Sequence, residues 1–158
     1  MTTNPLDGFD TSMFHLASDD TFGSVLGVEV DSFEPRGPIT AHIPVKPVLM
    51  QPMGIIHGGI YASIGESLAS IATVMNVIAD GMAAVGQSNN TSFLRPVSSG
   101  TMHAVGTPLH MGRTSWYWQV EIKDDDGKLC AISMVTLAVR PMASFDRSAK
   151  EDTSGSTP

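Results

Sequence analysis

The groups that could act on a substrate are concentrated in one stretch of the chain, which begins at Gln51. His57, Gly58 and Gly59 then open a proline-free segment, and this pattern predicts a tight turn into a long helix. The first N–H groups of a helix lack intrahelical partners and carry partial positive charge. Because neither glycine has a side chain, the carbonyl oxygen of a substrate could approach those donors. The alternative is that the glycines only permit a tight turn or close packing against a strand.

One carboxylate, that of Glu66, lies inside the predicted helix. Apolar residues recur there at spacings of three and four and form a single stripe, and Glu66 lies off this stripe. A charged residue among small ones indicates that another element packs closely on this face or that a ligand enters there. The alternative is a solvated surface acid. At 100° per residue its neighbours are the small residues Gly59, Ala62, Ser63, Ala69, Ser70 and Thr73.

Other catalytic signatures are missing from the sequence. There is no G-x-S-x-G motif and no evident Ser/His/Asp or Cys/His arrangement. No His, Cys and Asp residues have the spacing of a metal site, so we predict no metal. The single cysteine, Cys130, excludes an intrachain disulfide, and its apolar surroundings in the sequence predict a buried, inert thiol.

Composition limits the class of protein. A chain of 158 residues with 42% hydrophobic and 16% charged residues is typical of one globular domain. The formal charge of −7 argues against nucleic acid as a partner, although single basic residues could hold a small phosphorylated ligand. We find no signal-peptide pattern and no apolar run long enough to span a bilayer, so the sequence predicts a cytoplasmic protein without membrane contact.

Periodicity and turn residues give the order of elements as two strands, one long helix that ends at Asp80-Gly81, and four strands. Since one helix cannot be surrounded by helices, an antiparallel sheet must wrap around it, which predicts an α+β fold. We predict an N-terminal arm over 1–23, a domain over 24–141 and a polar, disordered tail over 142–158. The predicted strands are 24–33, 39–45, 83–93, 101–111, 115–124 and 129–140, and the predicted helix is 58–79, with an apolar stripe of Ile60, Ile64, Leu68, Ile71, Met75 and Ile78.

This order, together with His-Gly-Gly opening the helix, resembles the hotdog-fold thioesterases. The similarity covers about residues 24–140, and its specific parts are Gln51 to Ser70 and Asn90 to Pro96. It is closest to the PaaI-like and 4-hydroxybenzoyl-CoA thioesterase branch, which carries its catalytic acid on the central helix. The resemblance implies an acyl-CoA thioesterase that releases a free acid and CoA. An aromatic acyl group such as 4-hydroxybenzoyl is favoured by the Gln and Glu pattern. CoA is part of the substrate, and no cofactor is implied.

The resemblance also assigns roles around the thioester. It places the Gly58 N–H against the thioester oxygen, which becomes an oxyanion in the reaction. The Gln51 amide could donate to the same thioester, with an ordinary loop glutamine as the alternative. Glu66 attacks the thioester carbon or takes a proton from water, and the sequence does not choose between the two. His57 is implied as a residue that fixes the loop, with direct chemistry as the alternative. Ser70 orients the carboxylate, touches the acyl group or is a plain helix serine.

Basic residues near turns are the candidates for binding the nucleotide of CoA. By resemblance, Arg95, Arg113 and Thr114 contact it from the surface, and each could instead be a solvated turn residue. The resemblance further implies that two sheets join edge to edge in a homodimer, and that dimers pair into a homotetramer. Because Glu66 is eight residues beyond Gly58, we predict a site shared between subunits. One subunit then supplies Gln51 and Gly58 and the other supplies Glu66.

Three classes of function compete. The first is the thioesterase. The second is a hotdog dehydratase or hydratase, which would carry a motif such as His-Phe-Pro before the helix, and this chain has none. The third is a non-catalytic acyl-CoA binder or a structural dimer, which would keep the glycines and arginines but would not need Glu66 on a face of small residues.

Overall fold

The computed structural model describes residues 21–145, a single sheet with one long helix packed on it. The predicted disordered tail begins at 142, whereas Met142–Phe145 form a short 3-10 segment and the Met142 N–H donates to the Gly81 carbonyl at 3.0 Å. The rest of that tail, from 146, and the predicted arm up to residue 20 lie outside the described residues. Short 3-10 segments cover Pro47–Leu49, Ile78–Asp80 and Met142–Phe145. The helices are α1 (Phe22–Leu26) and α2 (Gly58–Val77), and the strands are β1 (Glu29–Phe33), β2 (Ile39–Pro44), β3 (Met82–Phe93), β4 (Thr101–Met111), β5 (Ser115–Lys123) and β6 (Leu129–Pro141).

The six strands pair antiparallel throughout, in the order β1-β2-β4-β5-β6-β3. Helix α2 packs on one face of this sheet and contacts β3 and β6 most extensively. Trp116 and Trp118 of β5 are buried on the helix side, whereas Tyr117 between them is exposed, because successive side chains of a strand point to opposite faces. The predicted α+β arrangement and the predicted order of the sheet elements around the helix are confirmed.

The residues of helix α2 that face the sheet include smaller side chains than the apolar stripe predicted from the sequence. Ile64 and Leu68 are fully buried, but Ile60 and Ile71 are only partly buried. The reason is close approach: a Cβ added at Gly65 would collide with Ser133 of β6, so the helix can lie this near the sheet only through small residues. The buried residues of α2 are Tyr61, Ile64, Gly65, Leu68, Ala69, Ala72, Thr73 and Val77.

The end of α2 follows the prediction. The chain tightens into a 3-10 turn over Ile78–Asp80, and Gly81 adopts a left-handed conformation with φ 69°. The Gly81 N–H donates to the Ile78 carbonyl at 2.9 Å. Glycine ends the helix here because it adopts a positive φ without strain.

The prediction that no apolar run is long enough to span a bilayer was wrong. By length and composition alone, the segment Gly58–Asp80 is long and apolar enough to cross a membrane. In the structure this helix packs its buried face against the sheet, and Glu66 interrupts its apolar sequence. A central core helix meets the same criteria of length and composition, and the packing identifies it as one.

The beginning of the described chain corrects a second prediction. Residues 24–26 belong to α1 and not to a first strand, and β1 starts only at Glu29. The Thr21 side chain accepts from the Ser24 N–H, and Gly27 ends the helix at φ 66°. A cap and a glycine stop therefore close one short helix before the alternating residues begin. The predicted boundary between arm and domain, at 23/24, falls inside this helix.

The Cys130 thiol is fully buried, and desolvation raises its pKa. Its Sγ donates to the Lys128 carbonyl at 3.2 Å. Burial and a raised pKa both keep a thiol protonated and unreactive, which agrees with the prediction of an inert thiol.

Strand β3 forms one edge of the sheet, and within residues 21–145 one side of its backbone pairs with no other strand. Its residues from 85 to 90 are exposed, and Val85 and Phe93 are large apolar side chains with 44% and 56% of their surface exposed. An edge this long, with exposed apolar residues, is a surface that favours pairing with another strand.

Candidate active site

Glu66 lies between α2 and the edge strand β3. Its carboxylate rests on Gly86, where an added Cβ would overlap Oε1. The Asn89 Nδ2 donates to Oε2 at 3.2 Å. Between these contacts the register of β3 against β6 shifts, at the bulge between Gly86 and Ser88. The carboxylate is therefore held by the strand, and it is not a freely solvated surface acid.

An open cleft of about 360 Å³ lies beside this carboxylate. Small residues of α2 leave the space, as their grouping around Glu66 in the sequence indicated. Glu66 is the only charged residue that lines it, so this part of the described surface presents one carboxylate in a mostly apolar setting. The lining residues are Phe22, Ala62, Ser63, Glu66, Ser67 and Asn89.

His57 caps the start of α2. Its side-chain Nδ1 accepts from the Gly59 N–H at 3.0 Å. The backbone N–H of His57 donates to the Leu49 carbonyl at 3.0 Å. A neutral imidazole that accepts at Nδ1 carries its proton on Nε2. In this geometry the His57 side chain caps the helix, and it engages the Gly59 N–H that was a predicted donor to the substrate.

The Gly58 N–H, by contrast, donates to no acceptor within residues 21–145. The Phe93 ring covers this position so closely that a Cβ added at Gly58 would lie 3.0 Å from the ring. Phe93 also lies 6.1 Å from the Tyr61 ring, centroid to centroid. The helix start thus offers a backbone donor beside aromatic side chains.

Gln51 lies in the loop that leads to α2 and is half-buried. Its N–H donates to the Ile55 carbonyl at 2.8 Å, and its carbonyl accepts from the Gly54 N–H at 2.9 Å. Gly54 has φ 74°, so glycine permits the tight turn. The backbone that carries the Gln51 amide is therefore fixed.

The structure separates the two halves of the predicted machinery within one chain. Gly58 lies beside Phe93, the last residue of β3, whereas Glu66 lies beside Gly86 and Asn89, in the middle of that strand. The eight residues between Gly58 and Glu66 correspond to about 12 Å along the helix axis. One thioester cannot contact both groups of the same chain.

The predicted nucleotide-binding residues are separated in the same way. The Arg95 N–H donates to the Cys130 carbonyl at 3.1 Å, whereas the Thr114 carbonyl accepts from the Val139 N–H at 3.0 Å. Cys130 and Val139 lie near opposite ends of β6, about 30 Å apart at the rise of an antiparallel strand. Arg95 and Arg113 are exposed at opposite ends of the sheet and cannot bind one nucleotide from a single chain.

Sequence reasoning missed three residues of the cleft: Phe22, Ser67 and Asn89. Asn89 could have been found from the alternation of β3, which puts its side chain on the helix side. Phe22 could not, because it lies in the segment assigned to the arm. Ser70 is half-buried on α2 and does not line the cleft. Among residues 21–145 there is no group of His, Cys, Asp and Glu that could hold a metal ion.

Comparison with known proteins identifies the class. The chain matches the model of the thioesterase superfamily over residues 53–131 and belongs to that family. It is similar to the structure of thioesterase HI1161 from Haemophilus influenzae, with TM-score 0.74 and 35% identity over 80% of this chain and 87% of that chain. A mutant of thioesterase PA1618 from Pseudomonas aeruginosa gives TM-score 0.75 and 32% identity over 84% and 94%.

One relative is known by its role. The proofreading thioesterase EntH of Klebsiella pneumoniae is 34% identical over 123 residues, which are 78% of this chain and 88% of that protein. The hotdog fold is therefore confirmed, and the chain is a thioester hydrolase.

Proposed function

We propose that this enzyme is an acyl-CoA thioesterase of the PaaI-like and 4-hydroxybenzoyl-CoA branch, with Glu66 as its catalytic carboxylate. The observation that carries the proposal is the placement of Glu66. Within the described residues it is the one charged group lining an open cleft, and it is held there by Gly86 and Asn89. In a member of the thioesterase superfamily, a fixed carboxylate that lines an open cleft is the candidate for the reacting group.

A thioester is already activated, so a carboxylate can act on it in two ways. Glu66 attacks the carbonyl carbon, expels the CoA thiolate and forms a mixed anhydride that water then hydrolyses, or it takes a proton from the attacking water. In both routes the carbonyl oxygen gains negative charge. The Gly58 N–H and the Gln51 amide stabilise that charge, and one such donor contributes about 2.7–4 kcal/mol to lowering the barrier.

The site is shared between two subunits in this proposal. Gly58 and Gln51 of one subunit meet Glu66 of the other, since one chain holds these groups about 12 Å apart along α2. Antiparallel pairing of two β3 edges turns the end of one strand toward the beginning of the other. The same pairing brings Arg95 of one subunit toward the end of the sheet that carries Arg113 and Thr114 in its partner.

An aromatic acyl group suits the side chains around the two ends of the site. Phe93 lies beside the Gly58 donor and packs near the buried Tyr61 ring, and Phe22 lines the cleft at Glu66. Flat rings pack against one another in offset or edge-to-face contacts, which supports an aryl thioester such as 4-hydroxybenzoyl-CoA as the substrate class.

The test is thiol release from a panel of aromatic and aliphatic acyl-CoAs. We expect hydrolysis with a preference for aromatic acyl groups, and a loss of most activity in Glu66→Gln. Glu34→Gln, which changes an exposed acid of the β1–β2 turn, is the matched control and should keep wild-type rates. Hydrolysis of no CoA thioester, with CoA still bound, would support a binder and overturn the proposal.

The two routes are distinguished by a single turnover in ¹⁸O-labelled water. Label that enters the Glu66 carboxylate excludes a pure general-base route, because only hydrolysis of an anhydride can transfer it there. Label found only in the released acid is the result expected of the general-base route, and it excludes an anhydride that water opens at the Glu66 carbon.

A further inference from the structure

The Asn89 side chain is fully engaged on the helix side of β3. Its Nδ2 donates to the Ala62 carbonyl at 2.9 Å and to Glu66 Oε2 at 3.2 Å. Its Oδ1 accepts from the Thr91 hydroxyl at 2.7 Å. The amide therefore joins α2, the carboxylate and its own strand in one set of contacts.

These partners fix the orientation of the amide. The two acceptors, a carbonyl and a carboxylate, both require the N–H₂ end, whereas the Thr91 hydroxyl proton requires the oxygen. A flipped amide would place its oxygen against two other oxygens. The assignment of nitrogen and oxygen thus follows from the neighbours.

The contacts continue into the core with a single direction. The Thr91 Oγ1 lies 2.8 Å from the Ser133 Oγ, and Ser133 is fully buried. Since Thr91 has one proton and gives it to Asn89, Ser133 is the donor in that pair. The chain of donors runs from Ser133 through Thr91 and Asn89 and ends on the Glu66 carboxylate, so it is anchored in the rigid interior of the sheet.

We propose that Asn89 is a positioning residue that holds the Glu66 carboxylate in its reactive orientation. The proposal rests on the proposed role of Glu66. Its physical basis is that a glutamate has three rotatable side-chain bonds, and a carboxylate on a flexible stem reacts slowly unless it is held in place. Gly86 leaves room for Oε1 against the strand, and Asn89 donates a directional hydrogen bond to Oε2, so both carboxylate oxygens are held in place.

The test compares Asn89 with its neighbour Asn90. Asn90 pairs opposite Met134, and by strand alternation its side chain lies on the outer face of the sheet. Asn89→Leu removes both N–H donors and keeps the branched heavy-atom skeleton of the side chain, and it should lower kcat about 10- to 100-fold with a small change in KM. Asn90→Leu should keep wild-type kcat.

A charge variant gives a readout that a merely structural role would not move. Asn89→Asp puts a second carboxylate beside Glu66, so the acid limb of the pH–kcat profile should move to higher pH. Asn90→Asp adds the same charge on the opposite face and should leave the profile in place. An unchanged profile in Asn89→Asp, or equal shifts in both variants, would overturn the proposal.

A double variant separates this inference from the proposed function. If Asn89 acts through Glu66, then Asn89→Leu in a Glu66→Gln background should lower the residual rate no further. Independent, additive losses would overturn the positioning role. If Glu66→Gln alone keeps full activity, the proposed function itself fails, whereas loss in Glu66→Gln with wild-type kcat in Asn89→Leu removes only the inference.

Discussion

Two residues of β3 hold the Glu66 carboxylate in place: Gly86, which has no side chain, and Asn89, whose side-chain amide donates a hydrogen bond. At Gly86 the strand offers bare backbone, and the carboxylate occupies the space where a Cβ would be. At Asn89 the same strand offers an amide donor. A site built in this way can be weakened by adding a single carbon atom.

We therefore expect Gly86→Ala to lower kcat by about 10²-fold, because displacement of a reacting group by about 1 Å has an effect of that size. The added methyl meets the end of a flexible side chain, so the fold should tolerate it. Replacing a strand glycine changes the free energy of unfolding by about 1 kcal/mol or less. Steady-state kinetics and urea unfolding measure the two effects.

Ser88→Ala is the control for this variant, since Ser88 is an exposed residue of the same bulge. It should leave kcat unchanged. A Gly86→Ala enzyme with full kcat would show that the contact between Glu66 and bare backbone does not matter for catalysis.

At the scale of elements, one buried polar contact ties α2 to the sheet. The Trp118 Nε1 of β5 donates to the Thr73 hydroxyl at 2.9 Å, and that hydroxyl donates to the Ala69 carbonyl at 2.8 Å. Thr73 and Trp118 are both fully buried. The hydroxyl thus satisfies an indole N–H that has no access to water, and it sets the position of the helix that carries Glu66.

Thr73→Val should cost about 1–3 kcal/mol of unfolding free energy, because it keeps the shape of the side chain but leaves the buried Trp118 N–H without an acceptor. Chemical denaturation followed by tryptophan fluorescence measures the loss. Thr107→Val, at an exposed position of β4, makes the same chemical change without a buried partner and should be close to neutral. Equal losses in both variants would contradict a specific role for the Thr73 contact.

At the scale of the whole molecule, a single chain holds all the predicted groups but does not bring them together. Gly58 and Glu66 are separated along α2, and Arg95 and Arg113 lie at opposite ends of the sheet. The long unpaired edge of β3 supplies the surface by which a second copy could complete both sets. A homodimer, and a homotetramer built from it, remain predictions.

Subunit complementation tests the shared site. Glu66→Ala and Gln51→Ala homodimers should each be weakly active, because every site in them lacks one group. After subunit exchange, heterodimers contain one wild-type site and one doubly damaged site. With statistical exchange half of the dimers are mixed, so activity should recover to about a quarter of the wild-type value.

Exchange itself is monitored by mass spectrometry of differently labelled subunits. A mixture that exchanges but stays as inactive as its components would show that the site is not shared. A folded and fully active monomer in light scattering would contradict the dimer as well.

The sequence by itself determined the local features, because they depend on residues near one another in the chain. The glycines at 58, 59 and 81 bounded α2, and the alternation of apolar residues gave most of the strands. The position of Glu66 among small residues indicated that another element packs closely on this face or that a ligand enters there. The family resemblance and these patterns together gave the fold and the class of enzyme.

The tertiary structure alone decided which neighbours these residues meet. Glu66 and Asn89 are 23 positions apart in the sequence, and only the packing of α2 on the edge strand brings them together. Whether Gly59 faced a substrate depended on the rotamer of His57, which uses that donor as a cap. Which residues of α2 are buried depended on where the sheet approaches the helix closely, as it does at Gly65. These outcomes follow from non-local contacts, which periodicity cannot encode because it reports only the preference of each segment for a helix or a strand.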